Sequence, residues 1–206
     1  MIEILDVAIG DERTPVLPPF SAVLPDDAPG FAAAEGERGP MLASLVASGR
    51  LVPDRGRVLL DGADDPAALR RAVALVDTPV VAEPPASMPV GSIVREELRF
   101  AGLPSRRRSA EAVLEELDLA QWLRRPIGDL PPDDRLRLLL DLAARRPGVR
   151  ALVLTAPERH GGRAESWTAL AHAYADRGMP VLVLGGAAAV EALPAGSGTE
   201  SAGASR

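Results

Sequence analysis

Lysine, asparagine and cysteine are absent from this 206-residue chain. Without cysteine there are no disulfides and no thiolate metal sites, so nothing depends on an oxidising compartment and a reducing cytoplasm is the expected one. Without lysine, no alignment can supply a lysine side chain at any position. Aromatic residues are few, three Phe, two Trp and one Tyr, so aliphatic side chains must fill the core, as suits a layered α/β protein. Long apolar runs are lacking too. No stretch approaches the roughly 20 residues of a membrane span, and the opening MIEILDVAIG meets an acid at its third residue, unlike a signal peptide. Direct membrane insertion is therefore not expected, and any membrane association goes through a partner. A net charge of -6 with one dense basic run, Arg106 to Arg108, argues against a general nucleic-acid binder.

What is present reads as alternating strands and helices. Ile2, Ile4 and Val7 to Ile9 suggest a first strand, and Val16 to Leu24 a second in an antiparallel opening. Gly30 to Ala34 precedes a helix over 41–48, Arg57 to Leu60 reads as a strand, and Pro66 to Arg71 as a short helix. Three short aliphatic runs, Val73 to Val76, Ala151 to Leu154 and Val181 to Leu184, suit parallel strands buried on both faces. Apolar stripes at i, i+3, i+4, i+7 predict amphipathic helices at Ala110 to Leu117, Leu136 to Ala143 and Trp167 to Tyr174. Residues 92–125 carry helical signals only, as a lobe inserted into the sheet would. The small, polar segment 195–206 is expected to be a disordered tail after a single domain at 1–194.

The segment GERGPMLASL (Gly36 to Leu45) has the frame of a phosphate-binding loop: an apolar run, spaced glycines, then a helix. A working loop reads GxxxxGK[ST], with lysine on the terminal phosphates and a hydroxyl on magnesium. Here Leu42 stands at the lysine position and Ala43 at the hydroxyl position, so Gly36, Gly39, Met41, Leu42, Ala43 and Ser44 form a vestigial nucleotide site of weak or no binding.

The order of further segments resembles the ATP-binding cassette (ABC) ATPase family from Met1 to about Leu193. VPDRGRVLLDG, SIVREELRFAGLP, RRPIGDL with RLRLLLDLAARRP, ALVLTAP and ADRGMPVLVLGG follow in the family's order. The resemblance implies a P-loop NTPase-like three-layer fold. It would have a mostly parallel central sheet, an N-terminal antiparallel β subdomain and a small helical lobe near 92–125. It also implies where the chemistry should sit, and there the chain departs. The adenine-stacking aromatic falls near Asp11, the Q-loop glutamine on Thr78, and the signature LSGGQ on Leu130, Pro131, Pro132, Asp133 and Asp134. Thr155 and Ala156 replace the Walker B aspartate and the general-base glutamate, and Gly186 replaces the switch histidine. At the signature helix, Asp133 and Asp134 are expected to cap and neutralise the terminus that would otherwise attract a phosphate.

The expected function is therefore a degenerate, non-hydrolysing ABC-type nucleotide-binding subunit, a structural or regulatory part of a membrane transport complex. It would lie in the cytoplasm, peripheral to the membrane. Its partners would be a membrane permease, reached through Val80 to Phe100, and a second cassette. Paired with an active cassette, neither shared ATP site would be intact. No cofactor is expected, and no catalytic residue is assigned. Two alternatives stand: an active ABC ATPase using ATP and Mg2+ with non-standard residues, in which Glu158 or Arg38 would be recruited, and a soluble interaction module retaining only the fold. No metal site is expected either, because His160 has no second histidine or clustered carboxylate at ligand spacing and reads as exposed and inert.

Overall fold

In the computed structural model, residues 1–193 are described, so the predicted tail at 195–206 lies outside them. Strands β1 (Ile2–Asp11), β2 (Thr14–Leu24) and β4 (Arg55–Leu60) form an antiparallel sheet in the order β2-β1-β4. The prolines of β2 are tolerated because β2 is an edge strand, where a missing N–H leaves no central ladder broken. Four parallel strands, β3 (Gly30–Ala33), β5 (Val73–Val76), β6 (Ala151–Thr155) and β7 (Val181–Gly185), make the second sheet in the order β3-β7-β6-β5.

The aliphatic runs are buried on both sides, as their lack of alternation predicted. Ala74, Val76, Leu152, Leu154, Val181 and Val183 face one apolar cluster. That cluster takes in α3 (Val90–Phe100), α4 (Arg107–Glu116), α5 (Pro132–Ala144) and α6 (Ala164–Ala175). Val73, Leu75, Ala151, Val153, Leu182 and Leu184 face a second cluster. It is closed by α1 (Gly39–Ala47), α2 (Pro66–Ala72) and the inner face of the antiparallel sheet. Each fully buried aliphatic side chain contributes about 1.5–3 kcal/mol, so these two layers dominate the stability.

Trp167 and Tyr174 are core residues of α6, as the stripe indicated. Burial pushes the Tyr174 hydroxyl up to about 12. The segment predicted to be helical carries α3 and α4, followed by short 3-10 turns at Ala120–Trp122 and Ile127–Asp129. A last short helix, α7 (Ala187–Glu191), follows β7 and had no periodic signal.

Candidate functional site

The loop between β3 and α1 keeps the shape of a strand-turn-helix connection. Gly36 has φ of +91°, and Gly39 packs so closely that a Cβ there would stand 2.7 Å from Ala34 O. The helix opens at Gly39, two residues before the predicted start, because Leu42 N–H already reaches Arg38 O at 2.9 Å and Pro40 suits a first turn. That early start consumes donors. Gly39 N–H is bonded to Gly36 O at 3.0 Å, and Pro40 has no N–H to offer an anion. Met41 is partly buried, Leu42 packs against the second apolar cluster, and Ala43 is fully buried.

Ser44 closes the loop against two other elements. Its hydroxyl donates to Pro40 O at 2.7 Å and lies 2.8 Å from Thr155 Oγ1, which in turn lies 2.7 Å from Thr78 Oγ1. All three residues are completely buried. Each hydroxyl has one proton, so the direction follows. Ser44 spends its proton on Pro40 O, hence Thr155 donates to Ser44 and Thr78 donates to Thr155. The middle of α1 is thus tied to the ends of β5 and β6 by a neutral chain of hydroxyls.

Asp11 is exposed and accepts from Arg13 N–H at 2.8 Å. The expected capping of α5 by Asp133 and Asp134 does not occur. Pro131 holds the N-cap position with no side-chain bond, both acids lie inside the first turn, and Asp134 pairs with Arg137 at 3.0 Å. Their favourable effect on that terminus is charge alone. Gly186 N–H donates to Glu158 Oε1 at 2.8 Å, which links the ends of β6 and β7, while Glu158 Oε2 is buried without a hydrogen-bond partner among the described residues. Arg38 forms no ion pair among the described residues.

A charged cluster that the sequence did not disclose lies next to the hydroxyl chain. Asp77, at φ of +54°, has a fully buried side chain. Arg135 Nε and one terminal NH2 donate to Oδ2 and Oδ1 of its carboxylate at 3.1 and 2.7 Å. Burial works to raise this carboxyl, but His160 and Arg135 beside it outweigh burial and hold it below the usual range. Arg159 donates to Asp77 O at 2.7 Å and to Glu83 Oε2 at 3.2 Å. His160 is not the exposed, inert residue expected. Its side chain is only 24% exposed, with Nε2 3.0 Å from Asp77 Oδ2 and 3.4 Å from Glu83 Oε1. The separation in sequence between Asp77, Glu83 and His160 hid the grouping, because only the adjacency of β5 and β6 delivers the two loops to one place.

The layered sheets, the loop after β3 and the helical lobe together match known structures. Over 92% of this chain and 83% of the other, a nucleotide-free ATP-binding cassette from an ABC transporter superposes with a TM-score of 0.64 at 16% identity. The fold is that of an ABC ATP-binding cassette. A putative ABC transporter ATP-binding protein from Pyrococcus furiosus gives a TM-score of 0.63 at 15% identity, covering 90% of each chain. The cbiO1 protein of Clostridium perfringens, part of the ABC transporter complex cbiONQ, gives 0.61 at 16% identity, covering 90% of this chain and 78% of its own. No protein-family model and no curated protein sequence matches the chain. Thr155 ends β6, and Ala156 directly after it takes φ of +45°. No helix among the described residues is long and apolar enough to cross a membrane.

Proposed function

We propose that this chain is a non-hydrolysing cassette subunit that serves a membrane transport complex as a structural or regulatory part. The observation carrying the reading is the buried chain Ser44–Thr155–Thr78. Three elements that in the family converge on magnesium and phosphate are here bonded to one another through uncharged hydroxyls. Lysine is absent from the whole chain, and Leu42 in its place packs on the core. A charge-assisted hydrogen bond contributes about 1.5–3 kcal/mol, and several are missing, whereas millimolar and micromolar affinity differ by only about 4 kcal/mol. Tight MgATP binding in the family's mode does not survive that loss.

The permease contact falls on the surface leading from β5 into α3. Val80 is 97% exposed, Val81 is half exposed and Phe100 is 64% exposed. A cleft of about 540 Å3 opens beside Val81 and Phe100, floored by Leu75, Ile93 and Leu139 and rimmed by Glu96 and Arg146. Apolar side chains around a cleft with a charged rim suit a protein partner. One structural neighbour belongs to a transporter complex, which agrees with such a partner. This subunit would lie at the cytoplasmic face, attached through its permease.

Titration of the purified protein with MgATP tests the reading. No binding up to millimolar concentration is expected, and micromolar affinity or steady turnover would replace it with the active ATPase. Failure to co-purify with any membrane protein would favour an interaction module that keeps only the fold.

A further inference from the structure

The geometry points to a divalent transition-metal site, of the zinc class, formed by Asp77, Glu83 and His160. Each residue turns one ligand atom toward the others, and all three atoms lie within 4.8 Å of one another. His160 Nε2 stands 3.0 Å from Asp77 Oδ2 and 3.4 Å from Glu83 Oε1. Two ligand atoms held about 2.0–2.1 Å from a tetrahedral zinc are themselves about 3.3 Å apart, so the two His160 separations fit a shared ion.

A second observation separates the cluster from a simple ion pair. His160 Nε2 is buried yet makes no directed hydrogen bond, although it stands between two carboxylates. A buried imidazole nitrogen that faces two carboxylate oxygens and makes no directed hydrogen bond can, in its neutral form, give its lone pair to a cation that displaces the proton. The ligand chemistry then selects the ion. One imidazole with two carboxylates suits zinc and its transition-metal neighbours, whereas magnesium and calcium prefer oxygen alone.

The carboxylates are already oriented. Arg135 grips Asp77 through both oxygens, and Arg159 holds Glu83 through Oε2, leaving Oε1 toward His160. Such hydrogen bonds from outside the ligand set fix ligand direction. The same arginines set the strength. Two guanidinium charges offset two carboxylates, so a dication gains little from net charge, and affinity in the micromolar range is expected rather than that of a thiolate site. Three protein ligands leave a fourth position for water.

Metal at this point would clip the Asp77–Glu83 loop to the 3-10 turn Pro157–His160 that follows β6. The clipped loop contains Val80, a β-branched residue at φ of +65°, which is a strained conformation. The site depends neither on nucleotide nor on a permease, so it can be tested apart from the proposed transport role.

The full chain, stripped with EDTA, is titrated with zinc chloride in competition with a chromophoric chelator. One micromolar site is expected. His160→Ala and Glu83→Gln should each weaken it at least about tenfold, while His172→Ala, which removes the only other histidine, should leave it unchanged. Amide exchange of Thr78 to Glu83 should slow on adding zinc in the wild type and not in His160→Ala. Melting curves in EDTA establish that each variant is folded, and Glu83→Gln keeps the shape should the histidine variant not fold. Zinc binding equal in wild type and the folded variants, binding no tighter than millimolar, or displacement of zinc by equimolar magnesium would overturn the assignment.

Discussion

Arg135 on α5 grips Asp77 at the end of β5 through both carboxylate oxygens, and neither side chain reaches solvent to more than 4%. The pair fastens α5 to the end of β5 in the central sheet. A buried pair of this kind is sensitive to losing one partner and tolerant of losing both. Asp77→Asn or Arg135→Met alone should therefore destabilise the fold by about 3–5 kcal/mol. Asp77→Leu combined with Arg135→Met should cost clearly less than the sum. Urea denaturation of the three variants and the wild type measures the coupling, and additive losses would contradict it.

Acid should weaken the protein through the same carboxylate. The folded-state pKa of Asp77 lies below its unfolded value, so the unfolded chain binds more protons between the two. The stabilisation is complete above the unfolded value of about 3.9 and is lost as pH falls through the folded one. The stability difference between wild type and Asp77→Asn should narrow below about pH 4. A gap that stays constant from pH 7 to pH 3 would exclude Asp77 as the source.

Placing a carboxylate at Thr155 should damage the fold. Thr155 is fully buried and its hydroxyl is bonded to two other hydroxyls, so Thr155→Asp places a charge in the interior where its hydrogen-bond partners are neutral. A loss of about 3 kcal/mol or more is expected, with no gain in ATP hydrolysis. Thr155→Val keeps the shape but deprives Thr78 of its acceptor, at about 1–3 kcal/mol. Chemical denaturation together with a phosphate-release assay reads both effects. A stable Thr155→Asp protein with magnesium-dependent turnover would show that the site is only one substitution from function.

The exposed apolar pair should matter for a partner and little for the fold. Val80→Ser and Phe100→Ser change side chains that are mostly in water, so stability should move by no more than about 0.5 kcal/mol. Co-purification with a membrane permease, measured by pull-down from detergent-solubilised membranes, should fall sharply for the double variant. Undiminished capture would move the contact elsewhere.

Much of the scaffold was legible because its signals are local. Val73 to Val76, Ala151 to Leu154 and Val181 to Leu184 read as buried parallel strands from their unbroken apolar character, and they are. The stripe from Trp167 to Tyr174 fell on α6 and faced the core as its period required. The start of α1 was misplaced by two residues because Arg38 O and Pro40 close a turn that apolar spacing does not report. The capping expected of Asp133 and Asp134 failed for a related reason. Sequence shows that acids are near a helix start, while the position of the N-cap, here Pro131, is decided by backbone geometry.

The sequence by itself determined which chemistry is missing. No arrangement of a chain without lysine can place a lysine ammonium on a phosphate, and no folding can turn Thr155 into a carboxylate. Presence is a different matter, because a site is made by distances. Ser44, Thr78 and Thr155 became a hydrogen-bonded chain only when α1, β5 and β6 packed together. Asp77, Glu83 and His160 met only because parallel β5 and β6 end side by side and release their loops in the same direction. Hydroxyl and carboxylate contacts reach about 3 Å, whereas residues 80 apart in the chain share no local signal. The absence of lysine was therefore written in the residues, and the charged cluster of Asp77, Glu83 and His160 was decided by the fold.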